Sequence, residues 1–443
     1  MSTLQGNNRQ PHTGFPPPRE MAPGPAPQDP VLTGYFRTRW QSWDTTERTH
    51  FLRGLGRSAQ GSVPWIEPAP DGSLTHRAVT FFHQGEHTTA VILSANSLLN
   101  HHQVGSSEFE KMEDSTLWAL TYLMPVDWEA AYRITVHTGA GPAPWRTETA
   151  RRPIRLAADA GGPDPLNPVT GAGMNGGANS VVRLPGAPAS PWLATATPDA
   201  QAGSPAMGGG AETGSRCLSA AGLERLEIPD SGNGRLRTIW VYAPPKVRPT
   251  ESTPLLMLHD GQVWAKYLNL KSTLDAAIRA GVIPALHVAM IDSLDVETRS
   301  AELSGPTGTV DFVAHDLLPL LRRSLPVSHD AAGTIISGAS YGGLASLWQV
   351  IRYPQLVGVA LAQSPSLWRY DLMAPLEKVI DRVTVRMQAG IYEPEIHEEA
   401  LKLRNQLASH GADIRFRSIT GGHDWAWWNP WLVHGLSELL AQD

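Results

Sequence analysis

The hexapeptide Gly338-Ala339-Ser340-Tyr341-Gly342-Gly343 carries the sharpest chemical signal in the chain. It follows the apolar run GTIIS and opens a segment whose inward face would be Leu344, Leu347, Trp348 and Ile351. A G-x-S-x-G between strand and helix is a nucleophile elbow, a tight turn that lifts the serine hydroxyl above the sheet at a helix N-terminus. Ser340 is the candidate nucleophile. A serine hydroxyl needs a base to react at neutral pH, and the chain offers 16 histidines. Elbow enzymes order nucleophile, acid and base along the chain. His423, in Thr420-Gly421-Gly422-His423-Asp424-Trp425, lies after the last strand pattern and before the terminal helix, so it is the expected base. His434, on that helix, reads as structural or exposed.

The orienting carboxylate should follow RVTVRMQAG, where Glu393 and Glu395 are available. Glu393, three residues past Gly390 and just ahead of a helix, is preferred; the bland alternative is a carboxylate that only complements a helix dipole. Asp424 is adjacent to the base, cannot easily reach its far ring nitrogen, and is expected to brace the loop. The developing oxyanion needs preorganised N–H donors. One is the backbone N–H of Tyr341, and the second is expected from Gly261 or Gln262 in LLMLHDGQVWA. Trp425, Trp427 and Trp428 follow the base directly. They cannot all face inward, so at least one is expected to line the cleft. The pair His101-His102 has no carboxylate or cysteine at metal-ligand spacing, so no metal site is expected. No P-loop, G-x-G-x-x-G after a strand, or H-E-x-x-H is found.

These residues need elements to hold them. After residue 214 short apolar strands (TIWVYAPP, PLLMLHDG, ALHVAMIDS, GTIISGAS, VGVALAQSP, RVTVRMQAG, DIRFRSITGG) alternate with helical patterns. That grammar means an α/β fold with a mainly parallel sheet covered on both faces. The region before it holds β-branched and aromatic runs (HRAVTFFHQG, HTTAVILSAN, STLWALTYLM, EAAYRITVHTG) at strand-and-turn spacing, which predicts a small antiparallel β-sandwich. Residues 11–30 contain eight prolines in twenty and cannot repay their ordering entropy by burial. The expected organisation is a disordered Pro-rich tail (1–31), a sandwich domain (32–150) that starts with a helical stretch, a linker (151–225) with a low-complexity loop at 186–214, and a catalytic domain (226–443).

Composition bounds the partners. The chain has 443 residues and a net charge of −6. There is no global basic field, so nucleic acid is not expected as a partner. A single cysteine, Cys217, excludes an intramolecular disulfide framework. No apolar run reaches the length of a membrane span, and MSTLQGNNRQPHTG has neither a basic nor an apolar signal region, so the expected compartment is the cytoplasm.

With these residues laid out, the chain resembles the enterochelin (enterobactin) esterase family, the siderophore-releasing branch of the esterase D-like α/β-hydrolases, over most of its length after about residue 45. Leu258-His259-Asp260-Gly261-Gln262-Val263-Trp264-Ala265 resembles the family's L-x-D-G-Q-x-W-A. Ile291-Asp292 with Arg299 and Glu302-Leu303 resembles its ID…R-x-x-E-L, and Ala389-Gly390-Ile391-Tyr392-Glu393-Pro394 its A-G-x-x-E-P. Ser340-Tyr341-Gly342-Gly343-Leu344, Gln363-Ser364 with Trp368, and Gly421-Gly422-His423-Asp424 match the elbow, the following strand and the base loop. Val79-Thr80-Phe81-Phe82 and Asp164-Pro165-Leu166-Asn167-Pro168 resemble the amino-terminal domain. The resemblance implies an α/β-hydrolase domain preceded by a sandwich, and hydrolysis of the trilactone of a ferric catecholate siderophore in the cytoplasm. Iron would arrive with the substrate, so no cofactor is expected. A ferric tris-catecholate is a trianion, and Arg299, Arg369, Trp368 and Trp425 are the expected substrate-binding residues. The alternatives are a general carboxylesterase acting on feruloyl or short acyl esters, an acyltransferase, and a non-catalytic siderophore binder on the same scaffold.

Overall fold

The computed structural model describes residues 14–20, 30–55, 64–174, 176–193, 222–245 and 252–441. In the amino-terminal half, alternating apolar positions build strands β1 (Trp65–Pro68), β2 (His76–Gln84), β3 (Ala90–Ala95), β4 (Glu110–Lys111), β5 (Leu117–Pro125), β6 (Glu129–His137), β7 (Thr170–Ala172) and β8 (Ala178–Arg183). They pair antiparallel in two four-stranded sheets, β1-β2-β5-β4 and β3-β6-β8-β7. Val79 and Phe81 of β2, Leu120 and Tyr122 of β5, Val91 and Leu93 of β3, and Tyr132 and Ile134 of β6 meet in one buried core. The period-two pattern therefore puts one face of each sheet inside.

The sandwich does not stop at residue 150. Strands β7 and β8 extend it to Arg183, and the helix Arg151–Ala158 lies between them and β6. The sequences TGA and ANSVVR are too short and too polar to show a strand period, which is why the stretch reads as a linker. A buried network ties it in: the Tyr132 hydroxyl donates to Asp164 Oδ2 (2.9 Å), and Asn167 Nδ2 donates to the Tyr132 oxygen (3.0 Å). Ahead of the sandwich, the expected helical stretch forms two helices, Tyr35–Ser42 and Thr45–Gly54. They are separated where Asp44 and Glu47 form a reciprocal capping box. Of the expected disordered tail, residues 1–13 and 21–29 lie outside the described residues, as does most of the 186–214 loop. Residues 14–20 are docked: Phe15 meets Trp348 edge-on at 5.3 Å, and the Arg19 N–H donates to the Arg369 carbonyl (2.7 Å).

The second sheet has eight strands: β9 (Gly222–Asp230), β10 (Arg235–Ala243), β11 (Leu255–His259), β12 (His287–Ile291), β13 (Thr334–Ala339), β14 (Val359–Gln363), β15 (Thr384–Gly390) and β16 (Ile414–Ile419). Their order is β16-β15-β14-β13-β11-β12-β10-β9. All neighbours are parallel except β10, which is antiparallel to both β9 and β12. Strand β9, an edge strand whose residues alternate between exposed and at least partly buried, was assigned in part to the linker by sequence. Separate hydrophobic clusters cover the sheet's two faces, as a doubly covered parallel sheet requires. This is an α/β-hydrolase sheet behind a sandwich, the expected fold class.

The terminal helix Trp425–Leu440 joins the two halves. Trp431 Nε1 donates to Glu129 Oε1 (3.2 Å), Arg183 Nη2 to the Ala426 carbonyl (3.1 Å), and the Glu129 N–H to the Thr420 carbonyl (3.0 Å). No described helix is long and apolar enough to cross a membrane.

Candidate active site

Strands β13 to β16 all run parallel, so the turns that follow them emerge at one edge of the sheet, where open α/β sheets bind ligands. Ser340 follows β13 with φ 60° and ψ −118°, a conformation that costs a non-glycine residue energy. It is held there by three backbone bonds. Ser340 N–H donates to Gln363 O (2.9 Å), and the Ser340 carbonyl accepts from Leu344 N–H (3.0 Å) and Ser366 N–H (3.2 Å). The flanking glycines are required by space: a Cβ on Gly338 would sit 2.7 Å from the Gly342 carbonyl carbon.

Glu393 and His423 come from the turns after β15 and β16. His423 Nδ1 lies 2.5 Å from Glu393 Oε1. The carboxylate can only accept, so Nδ1 carries the proton and Nε2 is left as the acceptor. Glu393 is buried, and its Oε2 accepts from Ser364 Oγ and from Gly390 N–H, both at 2.8 Å. Ser364 in turn accepts from Trp428 Nε1 (2.9 Å), and the Trp428 ring stands edge-on to His423 at 4.8 Å. Glu393 is also the N-cap residue of the helix Pro394–Ala408 but makes no side-chain cap bond; its carboxylate turns to the histidine. Glu395 makes no bond to it.

The sandwich holds the base loop from the other side. The His423 N–H donates to Ser97 Oγ (3.1 Å), and Asn96 Nδ2 donates to the His423 carbonyl (2.5 Å). Asp424 braces the loop as expected: buried, it accepts from Ala426 N–H (2.9 Å) and from Ala131 N–H of β6 (2.5 Å). Burial pushes its carboxyl up to about 6.

Ser340, Glu393 and His423 line one cavity of about 1150 Å³, together with Tyr341, Ser366, Trp368, Tyr392 and residues of the sandwich. Other sequence expectations fail there. Arg299 is buried and does not reach the cavity. Its guanidinium grips Asp260 with both arms (2.6 and 2.8 Å) and reaches the Ala339 carbonyl (3.3 Å), so it braces the floor of the elbow. Arg369 turns away and donates to the Arg19 carbonyl (3.2 Å). Trp425 is buried against Trp264 and Trp428, and Trp427 and Trp428 are buried too, because the sandwich covers the face of the terminal helix that would otherwise meet solvent. Trp368 is the one expected aromatic at the cavity, 6.0 Å from the Tyr341 ring. Tyr341 lines the cavity as an N–H donor beside the nucleophile should, and Gly261 and Gln262 are not among the lining residues. The Gly261 Cα packs against the backbone of Met290 and Ile291, and the Gln262 side-chain amide pairs with Ser293; neither contact uses the backbone N–H that an oxyanion would take. His434 packs beside Trp192 and bonds Ser190 (3.3 Å), a structural role. His101 reaches the cavity rim with no metal-ligand cluster among the described residues.

Sequence reasoning missed Ser366, whose Oγ lies 3.5 Å from Ser340 Oγ, and the sandwich residues Arg133, Arg151 and Arg155. The spacing Arg151-x-x-x-Arg155 was the available signal, since residues four apart share a helix face.

Residues 232–439 match the Esterase family, and residues 78–193 match the family described as enterochelin esterase, N-terminal. The iron(III) salmochelin esterase of Escherichia coli O6:H1 (strain CFT073) is 26% identical over 415 residues, covering 88% of this chain and 93% of that protein. The iron(III) enterobactin esterase of Dickeya dadantii (strain 3937) is 27% identical over 412 residues, covering 84% and 86%. A crystal structure of ferric enterobactin esterase from Salmonella typhimurium superposes with a TM-score of 0.69 at 24% identity, covering 84% of this chain and 95% of that one.

Proposed function

The chain is a member of the enterochelin esterase family, and from that premise we propose that it hydrolyses the trilactone ester bonds of a ferric catecholate siderophore of the enterobactin type, in the cytoplasm, releasing iron. Ser340 Oγ attacks a lactone carbonyl carbon while His423 Nε2 takes its proton. The C–O bond to the seryl alkoxide breaks, and the same proton passes to that leaving oxygen. Water, deprotonated by His423, then adds to the acyl-enzyme and frees Ser340. Glu393 Oε1 holds the ring in the tautomer the first step needs and stabilises the imidazolium that forms. The Tyr341 N–H, at a helix N-terminus, faces the developing oxyanion.

The observation that carries this reading is the His423–Glu393 pair (2.5 Å) sharing a cavity with a serine held at positive φ. The cavity is larger than the range of about 300–1000 Å³ common for drug-sized ligands, which suits a bulky macrocyclic substrate better than a short acyl ester. The test is incubation with ferric and iron-free enterobactin, products followed by mass, beside Ser340→Ala. Loss of the cyclic trilactone to linear trimer, dimer or monomer is expected, and Ser340→Ala should lower turnover at least about 10⁴-fold. An intact trilactone alongside rapid turnover of a simple aryl ester would move the function to a general carboxylesterase.

A further inference from the structure

The cavity's two walls differ in charge. Among the described residues, the hydrolase wall carries the acids Glu393 and Glu395, whereas the sandwich wall carries Arg133, Arg151 and Arg155 against a single acid, Asp159. Asp159 is already engaged, accepting from Ser94 Oγ and from Arg155 Nε (3.4 Å). Arg133 is fixed by neutral acceptors only: Asn179 Oδ1 (2.6 Å) and the carbonyls of Asp159 (3.1 Å), Gly161 (3.3 Å) and Ala178 (3.4 Å). Its position is set and its charge is not cancelled.

Arg151 is the sharper case. It is exposed, lines the cavity, and makes no bond or ion pair with any described residue. It opens the helix Arg151–Ala158, which has no acid in its first turn and no side-chain cap. A cation there opposes the helix dipole, so Arg151 does not serve the helix. Residues that break a local rule without structural gain mark functional positions. Its field reaches the rim, where burial lowers the pKa of His101, with His102 and Arg151 adding to the shift.

Resting on the function proposed above, we propose that the sandwich wall is the anion-receiving half of the site. Arg151, with Arg133 and Arg155 behind it, takes the negatively charged ferric tris-catecholate core, while the hydrolase wall takes the ester. Arg151 would then add to the affinity for the ferric trianion and little to that for the iron-free siderophore, whose catechols are protonated and uncharged at neutral pH.

The test measures binding apart from turnover. In a Ser340→Ala background, tryptophan fluorescence is titrated with ferric and with iron-free enterobactin, for the parent, Arg151→Glu and Arg151→Lys. Arg151→Glu is expected to raise Kd for the ferric form about tenfold or more, and for the iron-free form no more than about twofold, with Arg151→Lys restoring most of the difference. Equal effects on both forms, or none on either, would overturn the proposal. If Ser340-intact protein leaves enterobactin uncleaved, the hydrolytic reading fails, yet the binding comparison still decides this one.

Discussion

The two walls of the cavity are built on opposite principles. On the hydrolase wall nearly every group is buried and has a partner: Glu393 receives three donors, Ser364 links it to Trp428, and the Ser340 backbone is pinned by three bonds. On the sandwich wall the functional groups are guanidiniums at or near the surface: Arg133 is half-buried and held by neutral acceptors, Arg155 is exposed and pairs with Asp159, and Arg151 is exposed with no protein partner among the described residues. Chemistry needs donors and acceptors fixed to fractions of an ångström, which only an over-determined buried network provides. Recognition of a large anion needs charge delivered over several ångströms, and solvated arginines can do that without such a network. The molecule assigns the two tasks to different domains.

The contrast can be attacked from its rigid side first. Glu393→Gln keeps the size of the side chain but presents an amide where three donors converge. It should lower kcat by roughly 10³–10⁴-fold with little change in KM, measured on any ester the enzyme turns over. A drop below about tenfold would mean that the Glu393–His423 pair is not part of the reaction. Arg299→Ala asks whether buried cations belong to the framework or to recognition. Leaving Asp260 buried without its partner should cost roughly 3–5 kcal/mol in denaturant unfolding. A raised KM with unchanged stability would return Arg299 to the substrate.

The smallest effect concerns the seam between the domains. The Asp424 carboxyl is raised to about 6 by burial. For a carboxyl raised on folding, the native state holds a proton that the unfolded state has lost, so its contribution is complete below the unfolded value and disappears as pH rises through about 6. Melting temperature measured from pH 4 to pH 7 should fall more steeply for the parent than for Asp424→Asn, with a difference on the order of 2 kcal/mol across the window. Parallel curves would show that Asp424 stays ionised throughout.

The rigid wall was also the legible one. Ser340, His423 and Glu393 each sit in a short local pattern (elbow, post-strand loop, strand-end turn), and local patterns survive without knowledge of tertiary contacts. What sequence cannot show is where a side chain points. Arg299, Arg369 and Trp425 stand next to site residues along the chain, yet their side chains turn to Asp260, Arg19 and Trp264. Gly261 and Gln262 were placed by loop position, and the structure sets them outside the cavity lining, with Gly261 packed on β12 and the Gln262 side chain on Ser293. Arg133 sits in a run that was read as a strand, but its opening onto the cavity depends on tertiary contacts. Arg151 and Arg155 went unread because strands β7 and β8 were too short to announce that the domain continued past residue 150. With those strands taken for linker, Arg151 and Arg155 had no surface to belong to. The terminal helix likewise could not be seen to bury Trp425, Trp427 and Trp428 together until the sandwich supplied its second neighbour.

The grip of Asn96 and Ser97 on the backbone of His423 has a consequence for how the two domains work together. The nucleophile's turn is complete within the hydrolase sheet, whereas the base loop is held from both domains, by Glu393 and Trp428 on one side and by Asn96 and Ser97 on the other. Alignment of the base is thereby coupled to the docking of the sandwich, and ester cleavage would report on that docking.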